Sequence, residues 1–226
     1  MRKKKIIIIA SIIVIAIIAI TIFCFFNKNN YKTVEFGNNS IKSAENIKEY
    51  ILNISSYEAS ISLEIVSNKS SNKYKIKQSY VSPNIFKQEV LEPSSIQGLT
   101  TIYDGDKLTI NNTKFALNKI YENYQYISNN SLCLSDFIEK YKSSNNKKCK
   151  ENEECVIMEL KVEETNKYIA YEKLYISKKT LKPIKMEIED INKKMLVYIL
   201  YDEIKINSVN KEEVLAFKLK EQLNNI

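Results

Sequence analysis

The chain has 226 residues, with 34 Lys and Arg against 27 Asp and Glu, no His and no Trp. Four of the basic residues are Arg2, Lys3, Lys4 and Lys5, so the remainder is close to charge balance, and its lysines are interspersed with Glu and Asp. A nucleic-acid-binding stripe is therefore disfavoured, and the missing His removes the usual general base and the commonest metal ligand.

Directly behind the basic block, Ile6 to Phe26 is apolar and uncharged. At about 1.5 Å of rise per residue it is long enough for a membrane-crossing helix, and the basic block belongs on the cytoplasmic side. The expected organisation is residues 1–5 cytoplasmic, 6–26 a transmembrane anchor, 27–40 a polar tether and 41–226 one extracytoplasmic domain. The protein would then be single-pass in the cell membrane, with its C-terminal domain extracytoplasmic. A cleaved signal peptide fits less well, because the run is longer than a signal core and no small-x-small site follows. Lipidation at Cys24 is disfavoured, since bulky Phe23 stands where the processing enzyme needs a small residue.

Helical spacing starts near Ile41 and continues through Ile47, Tyr50, Ile51 and Ile54, with Ser43 as expected N-cap and Glu45 in the first turn. The period then changes to two. Tyr57, Ala59, Ile61, Leu63 and Ile65 alternate with polar residues, and so do Tyr74, Ile76, Gln78 and Tyr80 beyond a turn at Ser67 to Asn72. These are two strands of an antiparallel hairpin. Ile85 to Leu91 is a further strand between Pro83 and Pro93. Leu99 to Tyr103 and Lys107 to Ile110 flank Asp104-Gly105-Asp106, a hairpin turn.

Leu117, Ile120, Tyr121 and Tyr124 have helical spacing, as do Leu134, Phe137, Ile138 and Tyr141, with Ser135 as a capping candidate. A central helical insertion is expected there, with Tyr121, Tyr124, Tyr126 and Tyr141 lining its core or, on a minority reading, a partner surface. Strands return at Val156 to Val162, Tyr168 to Ile176, Ile184 to Ile188 and Met195 to Ile206, and Glu212 to Ile226 is ambiguous. The expected fold class is α+β: a single strongly curved antiparallel sheet, apolar on its concave face, wrapped around helices.

Cys149 and Cys155 flank a polar stretch and are candidates for a small disulfide loop, the alternative being two free thiols. With no C-x-x-C pair a zinc site is disfavoured. Asp104 and Asp106 read as turn residues rather than a cation site. Asp190 and Asp202 do not define a glycosidase pair. Cys133 lacks an imidazole partner and reads as a small apolar residue. No residue is assigned to catalysis, to a cofactor or to a metal, and the chain is expected not to be an enzyme.

Three segments carry a resemblance: Tyr80 to Val90, Thr101 to Ile110, and Tyr175 to Glu187 followed by Tyr201 to Asn207. In order and spacing they resemble the lipoprotein-carrier superfamily, the half-barrel fold of LolA and RseB. Within it, size and composition look most like the GerS-type germination lipoproteins of clostridia. The resemblance implies a non-catalytic partner of a spore-cortex peptidoglycan amidase, needed for the muramic-lactam mark read in germination, and a domain facing the space between forespore and mother cell. The alternative it leaves open is a carrier or sensor of lipid or lipoprotein that uses a concave apolar cavity. The expected partners are a cell-wall amidase or another extracytoplasmic protein and the membrane, with no nucleic acid. A homodimer is one arrangement an open sheet edge allows.

Overall fold

The structure is a computed structural model that describes residues 32–33, 42–67, 69–124, 132–162 and 169–216. The chain divides into two units, Met1–Lys32 and Thr33–Ile226, and nearly all of the described residues belong to the second. The expected anchor, most of the tether, Cys24, Tyr126 and the end of the chain lie outside the described residues. Among the described residues no helix is long and apolar enough to cross a membrane.

A two-residue strand, β1 (Lys32–Thr33), falls at the boundary between the units. Helix α1 (Lys42–Leu52) follows. It starts one residue before Ser43, so Ser43 lies inside the first turn and is not the N-cap. Ala44, Ile47 and Ile51 are buried along one face of α1, the spacing an amphipathic helix needs.

Strands β2 (Ser56–Val66), β3 (Ser71–Val81), β4 (Ile85–Glu92), β5 (Thr100–Tyr103), β6 (Leu108–Asn112) and β7 (Leu117–Tyr121) run antiparallel, each to the next. Helix α2 (Leu134–Ser143) intervenes. Strands β8 (Lys147–Glu151), β9 (Cys155–Lys161), β10 (Tyr171–Ser177), β11 (Pro183–Glu189) and β12 (Met195–Ile206) complete the set. Their order is β8-β9-β10-β11-β12-β2-β3-β4-β5-β6-β7, an open antiparallel sheet. The first and last long strands therefore meet in its middle, where β12 pairs with β2.

Alternation decides which face is buried. Tyr57, Ala59, Ile61 and Leu63 of β2 pack in the core with Ile76 and Tyr80 of β3, and the Tyr57 and Tyr80 rings stack with centroids 5.6 Å apart. In β12 both Tyr201 and Ile204 are buried, although three positions separate them. A bulge between Tyr201 and Glu203 resets the phase, and Asp202 turns outward to accept a 2.7 Å hydrogen bond from Ser62 Oγ. The helices pack on the β8–β9 part of the sheet. Leu134, Phe137, Ile138 and Tyr141 of α2 join the same core as Met158, Leu174, Met186 and Ile199.

The central helical insertion is corrected. Leu117 to Tyr121 is a strand, paired with β6 from Leu108↔Tyr121 to Asn112↔Leu117, and only Leu134 onward is helical. A short edge strand exposed on both faces shows no strict alternation, so its apolar residues matched a helical template by chance. Ser135 is not a cap either. Cys133 holds the N-cap position without a side-chain bond, and Ser135 lies inside the helix, buried.

Candidate functional site

Three features stand out as places where chemistry or binding could occur. The first is a cleft of about 600 Å³ between α1, α2 and β8. Leu52, Tyr141 and Cys149 contribute apolar wall, and Lys48, Lys142, Lys147 and Lys148 stand around it with Glu45 and Glu49. Lys48 is paired with Glu45 at 2.5 Å. Lys147 donates to the Lys142 carbonyl at 2.9 Å and lies over the Tyr141 ring. Burial pushes the Tyr141 hydroxyl up from its ordinary range and the Cys149 thiol up to about 11. Cys149 is therefore a neutral thiol, a poor nucleophile. The space between α2 and the sheet holds Leu134, Phe137 and Ile138, all buried.

The second feature is a buried ionic trio under α2. Asp136 and Lys140 are one turn apart on the helix, and Glu172 lies on β10. Lys140 Nζ is 2.6 Å from Asp136 Oδ2 and 2.9 Å from Glu172 Oε1. The side chain of Asp136 is 1 % exposed and that of Glu172 0 %. Burial pushes the Asp136 carboxyl up to about 6 against the pull of Lys140. For Lys140, burial acts downward, but the two carboxylates outweigh it and its pKa is raised. One cation between two carboxylates in a protected site holds the helix on the sheet. Sequence reading missed this trio. The Asp136/Lys140 spacing of four was visible, but the third member comes from a strand more than thirty positions away.

The third feature is the open edge at β7. Phe115, Ile120 and Tyr121 are 54 %, 52 % and 50 % exposed, among the largest exposures of any apolar side chain in the described residues. Tyr103 anchors the strand end from inside: its one hydroxyl proton is shared between the carbonyls of Gly105 and Tyr124, at 2.9 and 3.2 Å. The Tyr124 ring touches both Tyr103 and Tyr121. Across the hairpin mouth, Lys107 pairs with Glu122 at 2.7 Å.

The residues singled out from sequence fall at separate places. Asp104 Oδ1 accepts from the backbone N–H groups of Asp106 and Lys107, and Gly105 has φ +101°, so the segment is the expected turn. Asp190 Oδ1 likewise closes a turn by accepting from Asn192 and Lys194. Asp202 is held by Ser62. Cys133 is fully buried, and burial pushes its thiol well up. Tyr141 stacks on Phe137 in the core, apart from the Tyr121–Tyr124 pair, so the expected tyrosine cluster is divided.

The candidate disulfide is also corrected, because Cys149 and Cys155 are both free thiols. In the β8–β9 ladder Cys149 is opposite Met158, and Cys155 is three residues away from Met158 along β9, about 10 Å at the strand rise. The odd offset places the two thiols on opposite faces of the sheet, outside disulfide reach. Among the described residues no group of His, Cys, Asp or Glu could hold a metal ion.

Comparison with curated proteins finds no match. Among solved structures, the chain is similar to one in the complex of the CwlD amidase from Clostridioides difficile with the GerS lipoprotein. Identity is 24 %, 75 % of this chain and 97 % of that one are covered, and the TM-score is 0.46. An uncharacterised conserved protein from Thermus thermophilus matches at 13 % identity, with 78 % and 93 % covered and a TM-score of 0.48. A LolA superfamily protein from Nitrosomonas europaea matches at 11 % identity, with 75 % and 96 % covered and a TM-score of 0.39. The model of the YdcC-like sporulation protein family matches residues 3–215, and the chain accordingly belongs to that family.

Proposed function

We propose that this chain is a membrane-anchored, extracytoplasmic binding protein without catalytic activity, the partner of a peptidoglycan amidase that prepares the spore cortex for muramic-lactam formation and germination. The observation that carries the reading is membership of a sporulation family over nearly the whole chain. The apolar run Ile6 to Phe26 behind the basic block supports the membrane anchor. The open sheet offers a binding edge, and the carboxylates of Asp104, Asp190 and Asp202 are engaged in turns and strand contacts. GerS, to which the chain is similar, is in complex with the amidase CwlD. The sheet order and the helices on one part of it are in keeping with a half-barrel of the LolA type.

A carrier of lipid or lipoprotein is the second reading, favoured by the cleft between α1, α2 and β8. Against it, Phe137 and Ile138 occupy the space that an acyl chain entering the core would need.

The test is deletion of the gene followed by mass analysis of spore cortex glycans. Loss of muramic-lactam in otherwise normal spores is expected. An unchanged cortex would overturn the amidase role and favour the carrier.

A further inference from the structure

We propose that β7, Leu117–Tyr121, takes an extended segment of a partner protein as an additional antiparallel strand, with an acidic residue of that segment opposite Lys119 and apolar residues beside Leu117, Ile120 and Tyr121. This rests on the reading of the chain as a binding protein and names the surface and the chemistry of what it binds.

The first observation is position. Among the described residues β7 is the last strand of the sheet and pairs only with β6. Half of its backbone N–H and C=O groups therefore point away from the sheet, a ready template for one more strand.

The second is the lack of the usual protection. Several lysines along one strand are the kind of charge density that discourages edge pairing. β7 has Lys119 alone, together with half-exposed Ile120 and Tyr121 and with Phe115 just before the strand. Large apolar side chains on an unpaired edge mark an interaction site.

The third is charge. Lys107 is already paired with Glu122, and Lys114 is held by the Ser94 carbonyl. Lys119, at the centre of β7, makes no ion pair among the described residues, so the strand presents one cation between apolar neighbours. A facing carboxylate complements it, whereas a facing cation is repelled. The same argument disfavours a second copy of this chain. The two-fold register that uses all five residues would set Lys119 opposite the Lys119 of the other copy.

The test uses the full chain in detergent micelles and a labelled nonapeptide, Ser-Thr-Val-Val-Glu-Thr-Val-Ser-Thr, with a counterpart carrying Lys in place of Glu. Binding is read by fluorescence anisotropy, and backbone protection by hydrogen exchange with mass spectrometry. The expected result is slowed exchange at 117–121 with the Glu peptide and about fivefold tighter binding of it than of the Lys peptide. Lys119→Glu should invert that preference while leaving the circular dichroism spectrum unchanged. Four results would each overturn the proposal: no protection at β7, equal binding of both peptides to both proteins, β7 already protected in the dilute free chain, or protection that rises with protein concentration alone. Failure of the two readings is separable. Inverted preference with an unchanged cortex in the deletion strain keeps the edge site and removes the amidase. Muramic-lactam loss without β7 protection does the reverse.

Discussion

Lys140 Nζ on α2 donates to Glu172 Oε1 on β10 across 2.9 Å, and this bond ties the helix to the interior strands of the sheet. Replacing Lys140 with Met would leave the carboxylates of Asp136 and Glu172 in the core without their shared cation. Removing one partner of a buried pair costs about 3–5 kcal/mol. Lys140→Met is therefore expected to lower the urea unfolding free energy of the protein by that order, and a loss below about 1 kcal/mol would show that water reaches the site.

The same trio gives a pH dependence whose sign follows from Asp136. Its carboxyl is raised by burial from 3.8 to about 6 in the folded protein. Between those values the folded state holds a proton that the unfolded chain has released, so stability from this group falls as pH rises from about 4 to 6 and is level above. The full swing is on the order of 3 kcal/mol. Unfolding midpoints measured from about pH 4 to 7 should slope downward relative to Asp136→Asn, and parallel curves would refute the assignment.

The thiols are expected to differ in reactivity and not to be bridged. Cys155 is only partly covered, Cys149 is more protected, and Cys133 is fully buried. Alkylation of the native protein under non-reducing conditions, followed by peptide mapping, should label Cys155 first and Cys133 only on unfolding. A peptide joining Cys149 to Cys155 would mean that the β8–β9 register differs from Cys149↔Met158.

Asn207 directly follows β12 and lies in the left-handed region, with φ +54°. Its Oδ1 accepts from the Ser55 backbone N–H and from Ser55 Oγ, each at 3.0 Å, and so fastens the end of β12 to the start of β2. Asn207→Ala removes these bonds, with a longer one from the Ser56 N–H at 3.4 Å, and leaves a residue poorly suited to that φ, for a loss of about 1–3 kcal/mol. Asn207→Gly, which tolerates the φ, should recover part of it. Equal stability of all three proteins by thermal unfolding would remove the clamp.

Much of the fold was legible wherever a pattern is local. The alternation of Tyr57 to Ile65, the Asp104-Gly105-Asp106 turn and the span Met195–Ile206 appear in the structure as the sequence indicates, because a half-buried strand writes its buried face at every second residue and a turn needs only its own few atoms. Composition and the order of these patterns also determined an antiparallel sheet with few helices. Tertiary structure alone decided the rest. Leu117–Tyr121 is a strand because β6 pairs with it, and its exposed residues carry no burial period to read. Cys149 and Cys155 are six positions apart in the chain, yet the register of one hairpin turns them to opposite faces. The Asp136–Lys140–Glu172 trio depends on where α2 lands on β10. Partner choice across a sheet is a long-range property, fixed by how whole elements pack, and no window of neighbouring residues contains it.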